Sequence, residues 1–318
     1  MRSSIGEETL AWRQKPLIFE TVNKWLCHNN FEEAKMSTLK HSFSQEDMES
    51  FLPTAKVGLI ATVNEEGLPH ITMITSMQAA NPEVLLVGEF FRGRSKKHVL
   101  NNHKIGFLVM SMSRKLWIGN ATWTHAKKDG PEYEIMNQIP MFRYNTYFGI
   151  ETVHYFDLLG FKGPDPLPLG SLILEVLRSK LVKNSFKSGN PSQILKPFVV
   201  DIINQLTSFT FLSYIKEDGY PVLIPILQCQ AADSRRLIFT KGIFQEELKQ
   251  IPDGAKVAAF TMNFNMESIL VRGIYQASNK STLGKVATID IDWVYNSMPP
   301  ALGQLYPEVG RTAVTDFH

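Results

Sequence analysis

The chain has 318 residues, 44% hydrophobic, 20% charged and 11% aromatic, so a folded core is expected and disordered, collagenous or fibrous classes are excluded. Thirty-three Lys and Arg against 31 Asp and Glu leave a net charge of +2, which predicts neither a dominant nucleic-acid surface nor a polybasic membrane signal. Two cysteines, Cys27 and Cys229, are too few for a disulfide framework, and no apolar stretch reaches signal-peptide or membrane-span length, so a soluble, reduced, cytoplasmic setting is expected.

Residues 1–40 read as an N-terminal helical extension, with apolar positions at Leu10, Leu17, Val22 and Leu26 and a break or start at Pro16. A first unit is expected over 41–186. It opens with a helix at 44–52, where Ser44 is placed to cap and Asp47 follows three residues on. An apolar run containing Leu59, Ile60 and Val63 then meets the turn NEEG, and a second run returns after Pro69, which is a hairpin signal. Next come a third strand at 84–88, a short helix from SKKHVLNN, and strands at IGFLVMSM and LWIGNATWT. Residues 126–168 read as a long aromatic-rich insertion, and SLILEVLRSKLV (171–182) as the final strand.

The second unit, 187–318, repeats this order. A helix is expected at 194–206, a hairpin around KEDG at 209–227, a strand at 236–240, a short helix from QEELKQI, and strands at VAAFTMNF, SILVRGIYQ and KVATIDIDWVY. Gly67 and Gly219 are 152 positions apart, and the same shift, without a gap, pairs Glu65 with Glu217, Pro69 with Pro221, Ile74 with Ile226 and Gln78-Ala79-Ala80 with Gln230-Ala231-Ala232. Strand patterns with one short crossover per copy predict a mainly β fold with peripheral helices, an α+β chain of two small antiparallel barrels rather than a doubly wound parallel sheet.

The segments LIATVNEEGLPHIT and LLVGEFFRGRSKKHVLNNHKIGFLV resemble the pyridoxamine 5'-phosphate oxidase-like family, the FMN-binding split β-barrel. That resemblance implies homodimer-like barrels with FMN in the cleft between them, so a fused repeat would imitate the dimer within one chain. It implies a phosphate site at RGRSKKHVLNN, carried by Arg94, Ser95, Lys96 and Lys97, where the start of a helix also offers backbone N–H groups. It places His70, Thr72, Met73 and Thr75 of the strand HITMIT along the flavin, with Gly88 and Glu89 where backbone approaches the cofactor. A solvated basic loop and an ordinary half-buried strand explain the same residues without a ligand.

In the second copy Arg94 and Ser95 become Glu246 and Glu247, which would repel a phosphate, so one FMN per chain is expected. Tyr133, Phe142, Tyr144, Tyr147, Phe148, Tyr155 and Phe156, with Trp123, either cover the ring or pack the insertion. The tail lacks the Arg-x-His element by which true pyridoxine phosphate oxidases hold substrate, which counts against that reaction. No His or Cys cluster has metal-ligand spacing, and no dinucleotide or P-loop motif occurs. The expected function is an FMN-dependent oxidoreductase acting on a small-molecule substrate or electron donor, as a monomeric pseudo-dimer or a homodimer; the alternative is a module that binds, stores or senses FMN or another cofactor without turnover.

Overall fold

The computed structural model describes residues 36–89, 94–139, 150–281, 284–296 and 303–309. Helix α1 (Gln45–Phe51) starts at Ser44, whose Oγ accepts from Asp47 N while the Asp47 carboxylate accepts from Ser44 N, closing a capping box. Its other end is closed by Lys56, whose buried ammonium donates to the carbonyls of Phe51 and Pro53 at 2.8 Å each. Burial lowers the Lys56 pKa to about 8.

Seven strands follow: β1 (Lys56–Val63), β2 (Pro69–Met73), β3 (Met77–Asn81), β4 (Val84–Glu89), β5 (Lys104–Ser111), β6 (Lys115–Lys127) and β7 (Thr152–Pro166). Helix α2 (Arg94–Asn101) lies between β4 and β5, and α3 (Pro131–Gln138) between β6 and β7. Helix α4 (Leu169–Val182) and a 3-10 turn at Lys183–Phe186 lead to α5 (Pro197–Asn204). The second set is β8 (Phe209–Ile215), β9 (Pro221–Pro225), β10 (Gln230–Ala231), β11 (Arg236–Thr240), α6 (Gln245–Lys249), β12 (Lys256–Met262), β13 (Ser268–Ser281), β14 (Gly284–Asn296) and β15 (Gly303–Tyr306).

The first sheet runs β2-β1-β5-β6-β7-β4-β3 and the second β9-β8-β12-β13-β14-β11-β10, with β15 added on β14. Position for position these are the same order, and the paired strands are antiparallel, so the chain is two split β-barrels of one topology. Each hairpin turns through a glycine in the left-handed region, Gly67 at φ +73° and Gly219 at φ +82°, where a side chain would be strained.

Two expectations are corrected. Residues 171–182 are not a strand: they lie within α4, whose buried Leu174, Glu175, Ser179 and Val182 recur at helical spacing. Helix α4 packs on β11, where the Thr240 hydroxyl donates to the Glu175 carbonyl. The last strand of the first sheet is instead β7, which falls inside the expected insertion 126–168. The excursion is therefore the shorter stretch between Lys127 and Thr152, containing α3. A further strand in each copy, β3 and β10, precedes the one expected third in order. The N-terminal extension up to residue 35 lies outside the described residues.

The barrels share a core. Leu59, Ala61, Ile71 and Leu108 of the first pack in one cluster with Phe211, Leu212, Leu223 and Ile224 of the second. A separate cluster around Phe43, Phe51, Phe107, Trp117 and Phe161 belongs to the first barrel. The contacts are reciprocal: β2 lies against β12 and β13, and β9 against β5 and β6. At the second contact Asn120 donates to the Pro221 carbonyl at 2.7 Å, and Thr122 shares a hydrogen bond with the Tyr220 hydroxyl at 2.8 Å.

Candidate functional site

Two inter-barrel clefts follow from the reciprocal packing, and they differ in chemistry. In the first, the alternation of β2 sends Ile71 into the shared core and turns His70 and Thr72 toward α2. The Thr72 and Ser95 hydroxyls are 2.5 Å apart. His70 and His98 meet edge to face with centroids 5.0 Å apart, and His98 Nδ1 lies 3.1 Å from the Thr62 hydroxyl. Burial, the neighbouring His98, and the charges of Arg94 and Arg272 push the His70 pKa down to about 3. Burial first and the same two arginines next take His98 to about 4, so both rings are neutral at pH 7.

The opposite wall comes from the second barrel. On β14, Trp293 and Tyr295 project from one face with their rings near parallel, 5.6 Å apart. Arg272 of β13 pairs in register with Trp293 and lays its guanidinium 3.9 Å from that ring's centroid. Arg94, at the start of α2, sits 4.7 Å from the Tyr295 centroid, and His70 lies 6.1 Å from the same ring. A cavity of about 210 Å³ opens beside Arg272 and Trp293 and reaches Pro69 and Glu66 of the first barrel.

The other candidates sit around this cleft. Lys96 and Glu89 form an ion pair at 2.9 Å, and the same Glu89 oxygen lies 2.9 Å from His154 Nε2. Trp123 Nε1 donates to His154 Nδ1 at 3.1 Å, so that nitrogen carries the lone pair and Nε2 carries the proton toward Glu89. Glu89 Oε1 is buried and, among the described residues, has no hydrogen-bond partner. Lys97 is exposed and pairs at 2.8 Å with Glu65 of the hairpin turn, at the rim. Met73 packs on the shared core, and Thr75 is half-buried between β2 and β3. The Gly88 carbonyl accepts from Ser76 Oγ at 2.5 Å, and Ile150 and Met136 fill the space before its Cα.

Among the expected aromatics, Tyr155 and Phe156 are strand residues of β7. Tyr155 stacks on His125 with centroids 4.4 Å apart, and Phe156 is core. Phe142, Tyr144, Tyr147 and Phe148 lie outside the described residues. The structure thus brings together His70, Thr72, Ser95 and Arg94, and adds His98, Arg272, Trp293 and Tyr295, which sequence reasoning did not single out. A signal for the last three existed: in a fused pair of barrels, the last strands of one copy must face the hairpin of the other.

In the second cleft the polar row is gone. At the 152 shift His70, Thr72, Ser95 and His98 become Val222, Ile224, Glu247 and Gln250. Glu247 is tied to Lys162 of β7 by an ion pair at 2.9 Å, across the place where α6 faces the first barrel. Among the described residues no group of three or more His, Cys, Asp or Glu is arranged to hold a metal ion, and no helix is long and apolar enough to cross a membrane.

No family model matches the chain, and no curated protein matches it. Solved structures are similar over part of it. HupZ of Group A Streptococcus is 15% identical, with 40% of this chain and 98% of that chain covered and a TM-score of 0.31. An FMN-binding protein from Syntrophomonas wolfei is 10% identical over 48% of this chain and 95% of its own, TM-score 0.31. The styrene monooxygenase flavin reductase of Pseudomonas putida S12 is 10% identical over 36% and 85%, TM-score 0.26.

Proposed function

We propose that the first inter-barrel cleft binds FMN and that the protein is an FMN-dependent oxidoreductase. The observation that carries this is the convergence of Ser95, Thr72 and Arg94 at the start of α2, facing Arg272 and Tyr295 of the other barrel. Hydroxyl donors, a helix start and cations without a bridging carboxylate suit a phosphate dianion. The Trp293 and Tyr295 rings suit a planar heterocycle, and the neutral His70 and His98 offer hydrogen bonds without adding charge. Lys96 lies one layer behind, its charge balanced by Glu89.

When bound, the flavin supplies the redox chemistry. The residues of this chain hold its phosphate, orient the ring and exclude water by the contact between the barrels. Substrate and electron donor are small molecules.

The purified protein should be yellow and release about one FMN per chain on denaturation, identified by mass. A colourless protein that fails to take up added FMN removes the proposal. Bleaching by NADH or NADPH, followed by reoxidation with an acceptor, marks the enzyme; tight FMN with no reduction by any donor marks a binding module.

A further inference from the structure

The two arginines of the cleft come from different barrels. Arg94 opens α2 and is exposed; Arg272 sits on β13 and is half-buried. Among the described residues neither makes a salt bridge within 4.0 Å, although carboxylates stand nearby: Asp292 is taken by Lys256, and Glu66 lines the cavity's outer side. Arg272 Nε is buried without a hydrogen-bond partner, an unpaired donor on a charged group. Burial works against the Arg272 charge, and Arg94 adds like-charge repulsion. Two guanidiniums held over adjacent rings, with a free buried donor and a cavity beside them, are placed for an anion that neither barrel could hold alone.

We infer that Arg94 and Arg272 form an anion clamp across the two barrels for the phosphate of a phosphomonoester. The inference rests on the flavin reading only for the ligand's identity. The phosphate is either the flavin's own or that of a second ligand bound beside it. A carboxylate carries one charge and would satisfy one guanidinium; a phosphate dianion balances both. The clamp also makes ligand binding report on the contact between the barrels.

The test titrates wild type, Arg272→Gln, Arg272→Lys and Arg94→Gln with FMN, riboflavin and phenyl phosphate, by flavin fluorescence and calorimetry. Circular dichroism checks that each variant is folded. If the clamp holds the flavin phosphate, Arg272→Gln weakens FMN about 10- to 100-fold and leaves riboflavin unchanged. Arg272→Lys recovers part of the loss, and Arg94→Gln repeats it from the other barrel. If FMN is unmoved but phenyl phosphate binding is lost in Arg272→Gln, the clamp stands and serves a second ligand. Arginine-dependent phenyl phosphate binding by a protein that takes no flavin keeps the clamp and removes the flavin reading. Equal binding of both probes by wild type and Arg272→Gln, or no binding of either by wild type, overturns the clamp.

Discussion

His70 shows how one residue of the cleft couples function to stability. Its folded pKa of about 3 lies below the ordinary value of 6.5, so the folded state resists a proton that the unfolded chain accepts. The stabilisation is complete above pH 6.5 and is lost as pH falls from there toward 3. At pH 4.5 the loss should be about 3 kcal/mol. Urea unfolding from pH 7 to 4 should show this slope in wild type and a shallower one in His70→Gln; equal slopes would mean the imidazole is not held neutral by its surroundings. An anion bound near Arg94 and Arg272 should offset their field, so phosphate ligands should raise the His70 and His98 midpoints in NMR titrations. His70, Thr72 and Ser95 were legible because they sit in a local pattern of hairpin, strand and helix start. Arg272, Trp293 and Tyr295 were not, because their relevance comes from a contact roughly two hundred positions away in sequence, which no local pattern encodes.

Among the elements, the hairpins were the most legible. Alternating apolar runs about a glycine turn specify their own register. Strand β7 was missed because its second half, GFKGPDP, reads as a loop: Gly160, Gly163, Pro164 and Pro166 are turn residues that here accommodate bulges against β6. Helix α4 was missed for the opposite reason. Its run LILEVL is rich in residues common in strands, and the i, i+4 spacing of Leu169, Ile173, Leu177 and Leu181 falls on an exposed face. Docking of β9 on β5 depends on a glycine the repeat does not duplicate, since Ala258 stands at the position matching Gly106. A Cβ at Gly106 would run into the Pro221 carbonyl oxygen. Gly106→Ala should therefore cost about 1–3 kcal/mol through overpacking. It should also loosen ligand binding in the cleft, because both barrels line it. An unchanged denaturation midpoint would mean that the β8–β9 hairpin can shift away without loss.

At the scale of the molecule, fusion permits what a symmetric dimer forbids. In a twofold dimer both clefts carry the same residues, so any change made in one is made in both. Within a single chain the two clefts can differ while the barrels keep one topology and a shared core. The first keeps hydroxyls and open cations; the second has Val222 and Ile224 on its strand and a Lys162–Glu247 ion pair at its helix. A phosphate dianion entering the second cleft must separate that pair or lie against Glu247. Two unit charges at 4 Å repel by about 4 kcal/mol at an effective dielectric of 20, so occupancy there is disfavoured even against a strong ligand. Equilibrium binding should therefore saturate at one flavin per chain. Ser95→Glu, which gives the first cleft the second's acid, should abolish that binding while leaving the fold intact by circular dichroism. Glu247→Ala should leave the one-to-one stoichiometry and affinity unchanged. Saturation at two flavins, or loss of flavin in Glu247→Ala with Ser95→Glu unaffected, would place the functional cleft on the other side of the molecule.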